Sequence, residues 1–370
     1  MSDEEILFEV IECMGNTQVG HIKLNAPRTL NSLTLNMVKK ISALLDSWER
    51  DSDIKMILIT GNGEKAFCAG GDIRALYEST CSKEGPIYAD NFFESEYRLD
   101  YKIHQYSKPV ITIVDGIVMG GGAGLMFASS YRIATERTRF SMPEMGIGLF
   151  PDVGFTFEIK NFPEGVALFI MLTAANLNAS DTAFCNITNQ TIHSNDLTKF
   201  FDSLTTTTWG ESSKENHGLL DSLLNKKEFK ANLADLKESK IEKELSTIQS
   251  LTNERDLVSV VDKILSYSTD DQWFLKGKDV IQKGCPTTAH LVWLQNQKSS
   301  QLDLKEVFKF ELTMATNVAR KGEFKEGVRA LIIDKDNKPN WKHSSIASVA
   351  SSWVDEHLVP IWNQHPLEDL

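Results

Sequence analysis

Hydrophobic positions recur at two different spacings along this chain, and the spacing changes from element to element. Ile6–Ile11 and Val19–Leu24 carry apolar residues over strand length and predict two short strands. Met37, Ile41, Leu44, Leu45 and Trp48 recur at helical spacing behind Thr34, whose hydroxyl suits an N-cap. Ile54–Thr60 is β-rich and runs into the turn Gly61-Asn62-Gly63. One helix is predicted from near Asp72 and another over roughly Pro86 to Tyr106. Val110–Val114 is apolar throughout and reads as a buried strand. A glycine loop then leads into a helix at about Gly121–Ser129, and Ile133 and Phe140 mark further short extended pieces. Strands alternating with helices predict an α/β fold with much parallel pairing.

The pattern changes after about residue 195. Ser, Thr and Asn dominate 186–217 and point to loop-rich connections. From Leu219 the pattern turns helical and charged, through Leu223, Phe229, Leu233, Leu236 and Ile241, then Val258, Val261, Ile264 and Leu265. A last helix, Leu304–Ala319, precedes Gly327-Val328-Arg329-Ala330-Leu331-Ile332. There is no internal repeat at a solenoid period. The expectation is a core over 1–195 and a mostly helical C-terminal region over 196–370 that completes the fold.

Charge narrows the partners. The 370 residues carry a net charge of -12, which argues against broad nucleic-acid or membrane-surface binding. An anionic small ligand needs only a local cluster of donors and stays open. Cys13, Cys68, Cys81, Cys185 and Cys285 are odd in number, widely spaced and free of any CxxC, so they read as reduced thiols. The histidines form no HExxH; each, His104 included, reads as structural or solvent-facing. The acidic start, Met1-Ser2-Asp3-Glu4-Glu5, has neither a secretory pattern nor Arg-rich character, and the expectation is bacterial cytoplasm ahead of mitochondrial matrix. Pro109–Ala128 is the longest apolar stretch, but Asp115 and its glycines fit strand, loop and buried helix better than a membrane span.

Candidate chemistry begins at Met119-Gly120-Gly121-Gly122-Ala123-Gly124, which follows a strand and opens a helix. Glycines let the backbone approach a ligand, and free N–H groups at a helix start can hold developing negative charge. The same glycines would equally serve tight helix–strand packing. The spacing matches neither GxGxxG nor GxxxxGK[ST], which disfavours a nucleotide phosphate site. A second small-residue turn, Phe67-Cys68-Ala69-Gly70-Gly71-Asp72-Ile73, also lies between a strand and a helix. Two such turns could each offer one N–H to a single carbonyl oxygen.

Three acids stand out. Glu144 and Asp152 sit in the apolar, Gly/Pro-rich segment Ser141–Gly154, where lost solvation would raise a carboxyl toward a useful proton affinity. Either could instead cap a helix. Glu96 falls on the line Phe92, Glu96, Leu99, Ile103, one apolar helix face, where an acid is costly unless it is paired or faces a cavity.

These residues resemble the crotonase superfamily. Ala66-Phe67-Cys68-Ala69-Gly70-Gly71-Asp72-Ile73, Lys108-Pro109-Val110 through Gly120-Gly121-Gly122, and Met142-Pro143-Glu144 carry the likeness over roughly residues 5–195. Phe92-Phe93 to Glu96-Tyr97, Pro151-Asp152-Val153-Gly154 and Glu326-Gly327-Val328-Arg329-Ala330 with Lys338-Pro339-Asn340-Trp341 extend it, most like the 3-hydroxyisobutyryl-CoA hydrolase family, to nearly the whole chain.

The resemblance implies a spiral of ββα turns with added C-terminal helices. It implies an acyl-CoA substrate whose thioester oxygen rests between the N–H groups of Gly71 and Gly121. It implies that Ala69 holds the adenine through its backbone, and that Arg28, in Leu24-Asn25-Ala26-Pro27-Arg28-Thr29-Leu30-Asn31, lies near the CoA phosphates. Glu96, Glu144 and Asp152 match the acidic site residues, with Glu144 expected as general base or nucleophile. No metal or redox cofactor is implied, since coenzyme A enters as part of the substrate. A homo-oligomer is compatible, because crotonase relatives form trimers or hexamers.

Where enoyl-CoA hydratases resembling this pattern carry a second Glu, and dienoyl-CoA isomerases an Asp, this chain has Gly124, which favours thioester hydrolysis; a short branched β-hydroxyacyl group from valine breakdown is what the resemblance implies. Phe155 departs from the glycine usual after Pro-Asp-Val-Gly and bears on the acyl pocket. The competing readings are a hydratase or isomerase in the same fold, told apart by an intact thioester product, and a non-catalytic acyl-CoA-binding protein.

Overall fold

The computed structural model describes residues 4–231 and 235–370. Met1–Asp3 of the acidic start and Leu233 of the helical pattern lie outside the described residues. By packing, the chain divides into two compact units, each built from three stretches. Met1–Gly71, Leu99–Phe140 and Leu177–Lys240 make the first; Asp72–Arg98, Ser141–Asn176 and Ile241–Leu370 make the second. The change in composition near residue 195 follows local propensity, whereas the units follow tertiary packing and interleave along the chain.

The first unit holds the sheets. The strands are β1 (Ile6–Cys13), β2 (Thr17–Leu24), β3 (Ile54–Gly61), β4 (Ala66–Cys68), β5 (Val110–Val114), β6 (Ile117–Met119), β7 (Tyr131–Ala134), β8 (Arg139–Ser141) and β9 (Gln190–Thr191). Six of them form a sheet in the order β1-β2-β3-β5-β7-β9, and β4-β6-β8 form a second. After an antiparallel start at β1–β2, every successive pair of the large sheet is parallel. β3 and β5 are buried nearly throughout, as their unbroken apolar runs require. Thr34 accepts from the Met37 N–H, the cap expected from the sequence, and Asp72 caps the helix expected to start near it by accepting from the Ala75 N–H.

One expectation is corrected here. The Ser/Thr/Asn-rich stretch 186–217 is not mainly loop: it contains β9, the helix Leu197–Thr205 and the start of the helix Ser213–Leu224. Phe200 and Leu204 lie one turn apart and pack with Trp209, Leu220 and Leu223 against Val19, Met56, Leu58 and Ile133 of the sheet. Burial of that apolar stripe outweighs the weak helix propensity of the polar residues around it.

The regular structure of the second unit is almost entirely helical. The predicted helix at Leu304 runs to Lys321 behind a capping box of Asp303 and Glu306. The Gly327 block forms a short helix, Glu323–Val328, followed by a π-helical turn at Arg329–Ile333. Helices Gln272–Lys283 and Pro286–Lys298 add to it, neither of them expected from the sequence. Among the described residues, no helix is long and apolar enough to cross a membrane.

Candidate active site

In the first unit the two glycine turns meet. Gly70 has φ +106, a left-handed backbone that glycine adopts without strain. A Cβ placed on it would lie 3.5 Å from the Met119 carbonyl oxygen and 3.8 Å from the Gly121 nitrogen. Leu33 donates its N–H to the Gly70 carbonyl at 2.8 Å and pins the first turn. The second turn is pinned by contact: a Cβ at Gly122 would sit 2.5 Å from the Cys68 carbonyl oxygen, so only glycine fits. The helix Gly121–Ala128 makes its first internal bonds from Ala123 and Gly124 back to the Gly120 carbonyl. Its leading N–H groups, Gly121 first, therefore have no acceptor within the helix. Close packing of the glycines brings the two turns together, and it leaves the leading N–H groups of the helix without an acceptor inside it.

Ala69 is half-buried in the first of these turns and donates its N–H to the Leu30 carbonyl at 3.0 Å. Arg28 is exposed on the turn Pro27–Thr29. Pro27 and Leu30, which flank it, line a cavity of about 290 Å³ together with Asn31, Asn62, Lys65 and Ala66. His104 belongs to the same unit; burial, then the Arg132 charge, push its imidazole down to about 4, so it is neutral at physiological pH.

The three acids fall in the second unit. Glu96, Glu144 and Asp152 are each at most 4% exposed. The Tyr97 hydroxyl donates to Asp152 Oδ2 at 2.6 Å. Glu144 starts a one-turn 3-10 helix, Glu144–Gly146, and its Oε2 is buried with no hydrogen-bond partner among the described residues. Burial, and then the Asp152 charge, push the Glu144 carboxyl well above the usual range. Burial also lifts Asp152, to about 6, against the downward pull of the Tyr97 hydroxyl. Tyr97 is itself held protonated, first by burial and then by Asp152, Glu311 and Glu96.

The loop that carries Asp152 is strained and clamped. Val153 has φ +58, a left-handed conformation that a β-branched residue rarely takes. Glu311, on the Leu304–Lys321 helix, accepts from the Gly154 N–H at 2.7 Å and from the Thr156 N–H at 3.0 Å. Gln295, on the Pro286–Lys298 helix, donates to the Pro151 carbonyl at 2.5 Å and to Thr156 Oγ1 at 2.8 Å. Such strain persists only where surroundings over-determine it, and two helices do so here. Phe155 turns into the core, edge-on to Phe162 at 5.7 Å. Glu144 is held from behind by close backbone packing: a Cβ at Gly327 would lie 2.4 Å from the Ile147 carbonyl carbon, and the Cys285 N–H donates to the Met145 carbonyl at 2.9 Å.

Sequence reasoning missed Tyr97 as a site hydroxyl, and missed Glu311 and Gln295 entirely. A signal for Glu311 was present: with Phe308, Leu312 and Ala315 it forms one helix face that is otherwise apolar. That is the same pattern that exposed Glu96.

The two glycine turns belong to the first unit, and the buried acids Glu96, Glu144 and Asp152 belong to the second. The chain belongs to the enoyl-CoA hydratase/isomerase family, whose pattern matches residues 19–358. Among its relatives are the mitochondrial 3-hydroxyisobutyryl-CoA hydrolases of Danio rerio, 35% identical over 95% of this chain and 88% of that one, and of Homo sapiens, 33% identical over 96% and 88%. That of Gallus gallus is 34% identical over 93% of this chain and 87% of its own. Two solved structures share the fold over nearly their whole length. A carnitinyl-CoA dehydratase from Mycobacterium thermoresistibile has a TM-score of 0.84 at 27% identity, covering 100% of both chains. An enoyl-CoA hydratase from Rhodobacter sphaeroides has a TM-score of 0.83 at 26% identity, covering 97% of this chain and 98% of that one.

Proposed function

We propose that this protein is an acyl-CoA thioester hydrolase, acting on 3-hydroxyisobutyryl-CoA to release 3-hydroxyisobutyrate and CoA. The observation that carries the reading is the buried pair Glu144 and Asp152, which can share one proton and so offers an acid and a base for the same turnover. The hydrolase relatives, at 33–35% identity over nearly the whole chain, support hydrolysis over the hydration and dehydration named for the solved neighbours. Gly124, where the hydratase pattern has Glu, supports the same choice.

In this reading the Gly71 and Gly121 amides receive the thioester oxygen as it becomes an oxyanion, a contribution of about 3–4 kcal/mol per donor in hydrolases of this kind. Glu144 and Asp152 between them deprotonate the attacking water and protonate the departing thiolate. Glu96 orients the water or the substrate hydroxyl. Ala69 and Arg28 meet the adenine and the phosphates of CoA, and the cavity beside Arg28 offers room for part of that headgroup. The substrate brings its own coenzyme A, and the chemistry calls on no metal. The mitochondrial names of the relatives support the mitochondrial matrix as the location.

Glu144→Gln tests the assignment. The amide keeps the shape and loses the proton chemistry, so kcat should fall by about 100-fold or more while KM stays within a few-fold. An unchanged kcat would refute the role.

A further inference from the structure

On the helix Pro286–Lys298, Trp293 and Asn296 lie three positions apart and share a face, and both line a cleft of about 380 Å³ in the second unit. Gln295, between them in sequence, is buried and bonds instead to the Pro151 carbonyl and to Thr156, which anchors this wall. A second wall is the end of the helix Leu245–Thr252 and the turn after it, with Gln249, Asn253 and Glu254 on the cleft. Glu164, just ahead of the helix Val166–Thr173, adds to the lining. The corner beside it is tight. Gly165 has φ +77, and a Cβ on it would lie 2.2 Å from Thr252 Oγ1, so only glycine fits there. The cleft is therefore built on closely packed elements and is formed before any ligand arrives.

Its lining carries one sign of charge. Two of the residues are acidic and none is basic. Glu254 gives one oxygen to Lys263 Nζ at 2.7 Å, whereas Glu164 is exposed and makes no ion pair among the described residues. The C-terminal end of Leu245–Thr252 adds the partial negative charge of its last carbonyls. Trp293 is half-buried, stacks on no other ring, and its indole N–H has no acceptor among the described residues. A free indole face beside carboxylates attracts a cation that also has apolar surface. The side-chain amides of Gln249, Asn253 and Asn296 make no hydrogen bond among the described residues, which leaves them available to a polar group on the same ligand.

We propose that this cleft binds a small organic ammonium ion, seated on the Trp293 indole with its charge toward Glu164. An anion would be opposed by both acids. A metal ion would make no use of the indole, and among the described residues no three His, Cys, Asp or Glu gather to hold one. A neutral sugar would use the indole and the amides but would gain nothing from the charge. The cleft contains none of the residues assigned to thioester hydrolysis, so the site stands or falls apart from that reading.

The probe is choline, titrated into the full-length protein at fixed ionic strength and followed by NMR of the 15N-labelled tryptophan indoles. The Trp293 signal is identified by its loss in Trp293→Phe. Choline should shift it saturably, with a Kd of about 1 mM. In Glu164→Gln, an exposed change that leaves the packing alone, the Kd should rise about 3-fold or more. The neutral isostere 3,3-dimethyl-1-butanol should leave the signal where it is. A Trp293 signal unmoved by choline at about 50 mM overturns the proposal, since a site of that strength would then be nearly full. So does an equal response to the neutral isostere, which would make the cleft an apolar or hydroxyl-binding one, and so does an unchanged Kd in Glu164→Gln.

Discussion

Replacing Glu311 with glutamine should flatten the loss of stability that this site imposes as pH rises. Burial lifts the Glu311 carboxyl from 4.5 to about 8. The folded protein then holds a proton that the unfolded chain has already released, so the stability tied to this group is fully present below about pH 4.5 and is lost as pH rises through about 8. Holding a proton one pH unit more tightly is worth about 1.4 kcal/mol, which makes the full swing on the order of 5 kcal/mol as an upper figure. Asp152, lifted from 3.8 to about 6, adds a smaller swing of the same sign. Glutamine removes the Glu311 swing and adds a fixed cost. Its amide has one acceptor oxygen for the two N–H groups of Gly154 and Thr156, so one is left unsatisfied at about 1–3 kcal/mol. Urea unfolding at steps from about pH 5 to about pH 8 measures both effects. The variant should be the less stable protein at the acid end, and the gap should close or invert toward the alkaline end. Two curves that stay parallel across the range would show that folding does not tighten the hold of Glu311 on its proton, and would refute the reasoning.

Two further outcomes follow from close contacts. Gly122→Ala puts a methyl 2.5 Å from the Cys68 carbonyl and must force the two glycine turns apart; thiol release should drop by about 10-fold or more, and a wild-type rate would mean that the turns do not form an oxyanion cradle. Among the cysteines, exposed Cys81 should react with a thiol reagent in the folded protein, whereas buried Cys68, Cys185 and Cys285 should react only on unfolding; burial also pushes the Cys285 thiol up to about 12.

Much of the fold was legible because its strands are short apolar runs and its helices announce their caps. Ile54–Thr60 read as a β-rich run, Val110–Val114 as a buried strand, Thr34 as an N-cap and Asp72 as the start of a helix, and each is so. The helix at Leu197–Thr205 was hidden because its evidence is tertiary: Phe200 and Leu204 favour a helix only through the sheet they cover. The acids Glu96, Glu144 and Asp152 were legible as polar residues in apolar settings, and burial meets that expectation. Their supports were not. The clamp of Glu311 and Gln295 on the Asp152 loop joins residues far apart in the chain, and local spacing holds no record of such a contact. The meeting of Gly70 with Gly121 is non-local in the same way.

The most direct measurement is product analysis by mass spectrometry after incubating the protein with 3-hydroxyisobutyryl-CoA and, separately, with crotonyl-CoA. The account predicts free CoA and 3-hydroxyisobutyrate from the first, at a rate that Glu144→Gln abolishes, and little change in the second. An intact thioester carrying an added or lost water, with no free CoA from either substrate, would contradict it.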